Sequence, residues 1–309
     1  MENTIYFREI AKQWQKEKEP FVKRSTFAIY GIHLKTHLIP AFGNMTSVWE
    51  ADVQHLVNLK LQEGMSPKTI KDILMVLRMI LRFAQKHYGW DNPPLEIHFP
   101  TRRTKQEPQV MPLEQQRKLI RYLYNKPTAY NLGIALCLST GMRIGEICAL
   151  QWKDLDMAAG VLHVGKTLSR IYLSDGGEQE YYLSIGTPKT VSSVRDIPIT
   201  QPLATTIRAL LRIVNPDYFV VSNAAAPLEP RYYRDYFLRV LNHLGIPPVR
   251  FHALRHSFAT RCIESKCDYK TVSVILGHAS ISTTLDLYVH PGIDDKRRCI
   301  ERMSRALAQ

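Results

Sequence analysis

The chain has 309 residues, 45% of them hydrophobic and 22% charged, and a net charge of +13. This length can hold two domains with separate cores. No apolar run approaches the roughly 18–20 residues that span a bilayer, so we expect no transmembrane segment. The N-terminus lacks a signal-peptide pattern, so we do not expect a secreted protein. The charge is +6 over residues 1–105 and +7 over the remainder, which suits nucleic acid gripped from two sides, although a merely basic protein is the alternative.

The first 90 residues predict a small helical bundle. Four segments have near-helical apolar spacing: residues 5–14, 25–37, 53–61 and 67–88. The last of them begins at Ser66-Pro67, an N-cap followed by proline, and ends before Gly89. Basic residues lie among the polar positions of the bundle, where a few could contact phosphates: Lys23, Arg24, Lys35, Lys68, Lys71 and Arg78.

Residues 91–112 are rich in proline and polar side chains, which is typical of an extended interdomain linker. Arg102, Arg103 and Lys105 lie within this segment and could follow a DNA backbone. The sequence therefore predicts a domain boundary near residue 100.

Residues 113–309 predict a second domain that mixes helices with a β-rich stretch. Helical patterns cover residues 113–124, 128–139, 143–150, 201–213, 231–243, 251–265, 268–276, 280–288 and 293–308. Strand patterns cover residues 161–164, 169–173, 181–185 and 194–199. Because helices and strands do not alternate, we expect an antiparallel meander packed against helices. The predicted fold class is mostly α with a small antiparallel β-sheet: an N-terminal helical bundle followed by an α+β domain.

His252 and Arg255 are three residues apart, so a helix would place both on one face. A satisfied histidine beside a surface arginine is the ordinary alternative. His256 completes an HxxxH spacing with His252, but residue 253 is alanine where a zinc protease has glutamate. The five cysteines form no CxxC pair and have no convincing partner set for zinc. We therefore expect no metal site and no cofactor.

Arg143 follows Thr140-Gly141 at the predicted start of a helix, where an anion is favoured. Glu146, one turn further on, could hold its guanidinium in place. The alternative is a surface ion pair. Lys189 follows Gly186-Thr187-Pro188 on a predicted hairpin, where a lysine is usually only solvated.

Leu276-Gly277-His278 has the pattern of a helix end, with glycine as the C-terminal cap. The next predicted helix carries Tyr288 near its end. A tyrosine at such a position is more often a packed aromatic residue than a nucleophile.

Taken together, these segments resemble the tyrosine recombinase (phage integrase) family over nearly the whole chain. Residues 140–146 resemble its first arginine box, residues 252–260 its second, and residues 276–288 its third. Segment 1–90 is similar to the helical core-binding domain of the family. The resemblance then implies that residues 91–112 are the linker and that residues 113–309 are the catalytic domain with a C-terminal tail helix.

The resemblance implies six catalytic residues: Arg143, Lys189, His252, Arg255, His278 and Tyr288. The arginines would bind the scissile phosphate, and one of the two histidines would accept the tyrosine proton while both offer hydrogen bonds. Lys189, for which Lys166 is a rival, would protonate the leaving 5′ oxygen. Tyr288 would form a 3′-phosphotyrosine, so that neither ATP nor a metal ion is needed.

The resemblance also implies the partners of the chain. These would be double-stranded DNA recombination sites and three further copies of the chain in a homotetramer, with the tail helix 293–308 exchanged between protomers. An accessory DNA-bending or directionality factor is a further candidate partner, and no membrane is expected. The protein would be cytoplasmic and nucleoid-associated, from a bacterium or phage and encoded by a mobile element. Because the chain starts almost directly in the core-binding segment, we expect no additional arm-site domain.

Three other functions remain open at this point. A type IB topoisomerase shares the chemistry but relaxes supercoils without a defined pair of sites. A non-catalytic DNA-binding protein could have the same fold. A metal-dependent nuclease would need a tight carboxylate or His/Cys cluster, which the sequence does not display.

Overall fold

The computed structural model describes residues 5–91, 94–100, 109–172, 181–188, 191–211, 214–288 and 293–307. The chain divides into two compact units: residues 1–105 together with 170–182, and residues 106–169 together with 183–309. No helix in the described ranges is both long and apolar enough to cross a membrane.

The first unit is helical, as the apolar spacing of its sequence predicts. Its α-helices are α1 (Phe7–Lys18), α2 (Arg24–His33), α3 (Ile39–Phe42), α4 (Glu50–Gln62) and α5 (Pro67–Tyr88). Helix α5 begins where the Ser66 hydroxyl accepts a hydrogen bond from the amide of Thr69, and it ends at Gly89, which has a φ of +67°. The apolar stripe of α5, including Leu77 and Ile80, is buried in the core of the unit.

Nine α-helices of the second unit lie within the described ranges. They are α6 (Leu113–Asn125), α7 (Ala129–Thr140), α8 (Ile144–Ala149), α9 (Gln201–Leu211), α10 (Pro230–His243), α11 (His252–Glu264), α12 (Tyr269–Leu276), α13 (Ile281–Tyr288) and α14 (Ile293–Leu307). Helix α7 is the central element, because residues 131–138 are all buried. Helices α6, α9 and α11 pack against it. The predicted fold class, mostly α with a small antiparallel β-sheet, is confirmed.

The predicted meander is wrong, because the second strand pairs with the fifth strand instead of with the third, the next strand along the chain. Strands β1 (Leu155–Asp156), β2 (Val161–Val164) and β5 (Arg195–Pro198) form an antiparallel sheet in the order β1-β2-β5. Strands β3 (Thr167–Tyr172) and β4 (Tyr181–Gly186) pair with each other in a separate sheet. Alternating hydrophobicity identifies a strand and its buried face, but it does not identify the neighbouring strand.

The register of β2 with β5 turns a polar side chain towards the protein interior. Leu162 lies opposite Ile197, and both side chains are buried. Two residues along each strand, Val164 lies opposite Arg195. Because side chains two apart share one face of a sheet, Arg195 is directed inward with its apolar neighbours and is only 7% exposed.

Some predicted features fall outside the described residues. Lys189 is one of them, as are residues 92–93 and 101–108 of the segment 91–112, which include the basic trio. The structure describes the predicted tail helix 293–308 as α14 up to Leu307.

Candidate active site

A glycine at the end of α7 allows the chain before Arg143 to pack closely against helices α11 and α12. Gly141 has a φ of +68°, and a Cβ at this position would lie 2.6 Å from side-chain atoms of both Leu276 and Phe258. Only glycine fits this backbone and this space. The turn at Gly141 therefore leads directly into Arg143 beside the end of α12.

Arg143 is the N-cap residue of α8, and its guanidinium has two partners. Its Nη1 donates to Glu146 Oε1 at 2.8 Å, and its Nη2 donates to the carbonyl of Gly277 at 3.2 Å. The backbone amide of Arg143 also donates to Glu146 Oε2. The predicted role of Glu146 as the residue that holds this guanidinium is confirmed. The Arg143 side chain remains 36% exposed, so part of it is accessible to a ligand.

Arg255 lies on α11 and is almost fully buried, at 2% exposure. Its Nη1 donates to the carbonyl of Gly141 at 2.7 Å, and its Nη2 donates to the carbonyl of Leu276 at 2.8 Å. Both acceptors are at helix C-termini, where the helix dipole favours a cation. Burial, followed by repulsion from Arg143, lowers the pKa of Arg255 to about 10, so its guanidinium is charged at neutral pH.

Sequence analysis assigned no role to Arg195, which completes the charged cluster. Its Nη2 donates to Glu146 Oε2 at 3.0 Å, and its Nη1 donates to the carbonyl of Ser193 at 2.9 Å. Burial raises the pKa of Glu146, but hydrogen bonds and charges from Arg195 and then Arg143 outweigh this and hold that pKa below its usual range. An arginine at an inward position of an alternating strand is the sequence signal that could have identified this residue.

The turn at Gly277 packs tightly against the strand that carries Arg195. Gly277 has a φ of +65°, and a Cβ there would lie 3.1 Å from Arg195 Nη1 and 3.1 Å from the carbonyl of Ser192. The next residue, His278, makes an Nδ1 contact of 2.8 Å with the hydroxyl of Thr284 on α13. This contact orients the imidazole and leaves its Nε2 for another partner.

The two predicted histidines are neutral at physiological pH. Burial, followed by the charge of Arg255, lowers the pKa of His278 to about 4. Burial, followed by His256 and Arg255, lowers the pKa of His252 to about 4 as well. Both residues are therefore hydrogen-bonding groups near pH 7 rather than fixed charges.

Tyr288 lies at the end of α13 with 8% of its surface exposed. Its hydroxyl is 2.6 Å from Nδ1 of His256. Burial raises the pKa of this tyrosine, while the charges of Arg255 and Arg143 oppose the increase. Tyr288 is thus both a packed aromatic residue and a tyrosine in the electrostatic field of two arginines.

The structure brings together five of the six predicted residues: Arg143, His252, Arg255, His278 and Tyr288. The sixth, Lys189, lies outside the described residues. Its rival Lys166 donates to Gln151 Oε1 at 2.7 Å. Within the described ranges, no group of three His, Cys, Asp or Glu side chains is arranged to hold a metal ion.

Comparison with known proteins identifies the family. The model of the phage integrase family matches residues 109–293, and that of the phage integrase N-terminal SAM-like domain matches residues 6–58. A XerC-like tyrosine recombinase of Caldanaerobacter subterraneus subsp. tengcongensis is 26% identical over 91% of this chain and 78% of its own length. The ICEBs1 integrase of Bacillus subtilis is 25% identical over 74% of this chain and 63% of its own length.

Two solved structures have the same fold at low sequence identity. The Tn1549 transposon integrase in complex with transposon right end DNA has a TM-score of 0.76 and 22% identity, and the match covers 97% of this chain and all of that chain. A lambda integrase tetramer bound to a Holliday junction has a TM-score of 0.67 and 18% identity over 94% of this chain and 80% of that chain. The phage integrase model covers more than half of the sequence, and this chain therefore belongs to the phage integrase family of tyrosine recombinases.

Proposed function

We propose that this tyrosine recombinase cuts and rejoins DNA at specific sites through a 3′-phosphotyrosine on Tyr288, without metal or ATP. One observation carries the proposal. Arg255 and Arg143 donate to the consecutive carbonyls of Leu276 and Gly277, in the turn that precedes the helix of Tyr288. Two guanidiniums are therefore fixed beside the nucleophile before any substrate binds.

The arginines would supply the charge that phosphoryl transfer requires. In-line attack on phosphorus places negative charge on the non-bridging oxygens, and preorganised donors stabilise it most effectively. Arg143, part of whose side chain is exposed, would contact one oxygen directly. Arg255 would contribute mainly through its charge and its remaining N–H groups, since two of its donors already bind carbonyls.

The remaining predicted residues have complementary roles in this proposal. His252 and His278, whose rings are neutral near pH 7, would each donate one ring N–H to the phosphate. Lys189 would protonate the 5′ oxygen as the P–O5′ bond breaks. A 5′-hydroxyl from another strand would then attack the phosphotyrosine and release Tyr288.

We further propose that both domains hold double-stranded DNA: residues 1–90 as the core-binding domain, 91–112 as the linker and 113–309 as the catalytic domain. The six basic residues that the sequence singles out in the bundle, from Lys23 to Arg78, are all exposed. The Tn1549 and lambda integrases are each described in complex with DNA. Binding to chromosomal or element DNA would place the protein on the nucleoid in the cytoplasm.

A homotetramer on two DNA sites would use the tail helix α14 between protomers. The apolar residues Ile293, Ile300, Met303 and Leu307 recur on one side of α14, and each is at least 52% exposed. Such a stripe can be buried against a second copy of the chain. The lambda integrase is described as a tetramer. An accessory DNA-bending or directionality factor would complete the assembly.

The two alternative functions, relaxation by a topoisomerase and DNA binding without cleavage, are not favoured.

The hydroxyl of Tyr288 should be the nucleophile of strand cleavage. Tyr288→Phe should reduce the yield of covalent protein–DNA adduct on a nicked suicide substrate in EDTA by about 10⁴-fold or more, because phenylalanine has no nucleophilic oxygen. DNA affinity, measured by gel shift, should change little. Tyr269→Phe, at an exposed tyrosine at the start of α12, is the control and should form the adduct normally. Cleavage that survives Tyr288→Phe and depends on Mg²⁺ would contradict the proposal.

Glu146 is the buried carboxylate that binds both Arg143 and Arg195. Glu146→Gln removes one partner of a buried ion pair, so the free energy of unfolding should fall by about 3 kcal/mol. Misplacement of Arg143 should slow cleavage by roughly 100-fold. Urea unfolding and single-turnover cleavage measure the two effects.

The control is Glu114→Gln, which alters an exposed pair with Arg117 and should change stability by less than about 1 kcal/mol. The pKa of Glu146 is lower in the folded state than in the unfolded state. The ionised carboxylate therefore adds to the free energy of unfolding above the unfolded pKa, and this contribution disappears as pH falls through the folded pKa. The stability difference between wild type and Glu146→Gln should therefore shrink in acid. A difference that grows in acid would refute this assignment.

The apolar stripe of the tail helix α14 should stabilise the tetramer on DNA. The double variant Ile300→Ala, Met303→Ala should weaken tetramer assembly on DNA by at least about tenfold, since each buried side chain contributes roughly 1.5–3 kcal/mol. Native mass spectrometry of the DNA complex measures assembly. Covalent adduct on a single site should be retained. Glu301→Ala, outside the apolar stripe, is the control. Unchanged assembly of the double variant would argue against exchange of α14.

A further inference from the structure

His256 is the one residue in contact with the reactive oxygen to which sequence analysis gave no catalytic role. It lies on α11, one turn after His252, and its Nδ1 is 2.6 Å from the hydroxyl of Tyr288. Among the described residues it is the only hydrogen-bond partner of that hydroxyl. The distance is in the range of a strong O–H···N hydrogen bond.

The two histidines expected from the family resemblance have other contacts. The Nδ1 of His278 binds the hydroxyl of Thr284 at 2.8 Å. The ring of His252 packs edge-on against His256, with 4.6 Å between centroids and an interplanar angle of 88°. Neither is hydrogen-bonded to Tyr288 in this structure. His256 is therefore the candidate acceptor of the Tyr288 hydroxyl proton.

The surroundings of His256 keep its imidazole neutral and able to accept a proton. Burial, followed by the charge of Arg255 on the same helix, lowers the pKa of His256. The other titratable or charged groups around it are Tyr288 on α13, His252 on α11, and Arg234 and Arg250, which line the same cavity of about 1030 Å³. A bound DNA phosphate would add negative charge and move the pKa of His256 upward again.

We propose that His256 is the general base for strand cleavage. The Tyr288 O–H bond breaks, its proton moves to Nδ1 of His256, and the phenolate oxygen forms a bond to phosphorus while the P–O5′ bond breaks. The 5′ oxygen takes its proton from the general acid. In the reverse step, Tyr288 leaves phosphorus and recovers the proton from the imidazolium of His256. This inference rests on the proposed phosphotyrosine chemistry.

The variant that isolates proton transfer from positioning is His256→Asn. Its side-chain oxygen can still accept a hydrogen bond from Tyr288 but cannot take up the proton at neutral pH. Single-turnover cleavage should slow by about 10²–10⁴-fold, the usual contribution of a general base. DNA affinity and thermal unfolding should match wild type. His256→Gln provides a second variant with the same expected result if the asparagine variant does not fold.

A substrate with sulfur in place of the bridging 5′ oxygen separates the base from the acid, because a thiolate leaves without protonation. On this substrate the defect of His256→Asn should persist at a similar factor, whereas a defect caused by loss of the general acid should shrink. Equal rates for His256→Asn and wild type would overturn the proposal. So would recovery of His256→Asn on the sulfur substrate, since His256 would then act on the leaving group.

The pH profile distinguishes a base from a residue that only packs against Tyr288. Between pH 5 and 9 on the sulfur substrate, the wild-type rate should rise and level off as His256 loses its proton. The rate of His256→Asn should continue to rise, because the phenolate then forms only by ionisation to solvent. Profiles of identical shape would overturn the proposal. If wild type itself forms no adduct, the proposed function fails, whereas a normal adduct in His256→Asn contradicts only this inference.

Discussion

The second unit depends on the guanidinium of Arg255, which is buried and joins the ends of two helices. It donates to the carbonyl of Gly141 after α7 and to the carbonyl of Leu276 at the end of α12. Its charge is balanced there by the partial negative charge of two helix C-termini. Because the same turn offers the carbonyl of Gly277 to Arg143, this arrangement fixes the distance between the two cations. If either carbonyl moved out of hydrogen-bonding distance, the buried guanidinium of Arg255 would lose a partner.

The electrostatics of the site follow from an excess of cations around one carboxylate. Glu146 binds Arg143 and Arg195, and Arg255 lies close enough to influence the same group. The positive charge that remains suits a phosphodiester, and it also helps burial to keep the nearby histidines unprotonated. A neutral histidine can accept a proton and later return it from the imidazolium, which the arginines cannot do. In the proposed mechanism, phosphate binding and proton transfer therefore fall to different side chains.

Sequence reasoning predicted the local features of this site and missed the long-range ones. The pair of Arg143 and Glu146 could be predicted because residues three apart on a helix meet, and the glycine at 277 because a helix end needs a left-handed residue. Arg195 reaches Glu146 only through the pairing of β5 with β2, which alternation does not encode. The contact of His256 with Tyr288 depends on how α11 and α13 pack, and the HxxxH spacing that includes His256 does not indicate this contact.

In the proposed mechanism, the arginines act by neutralising the charge of the scissile phosphate. A methylphosphonate at that position, which replaces a charged oxygen with a methyl group, removes this charge from the substrate. Arg143→Ala should slow single-turnover cleavage of the normal phosphate by about 10²–10³-fold, the usual effect of losing one such donor. On the methylphosphonate the same variant should cleave at nearly the wild-type rate. An equal loss on both substrates would contradict charge neutralisation by the arginines, since Arg143 would then have a role unrelated to the phosphate charge.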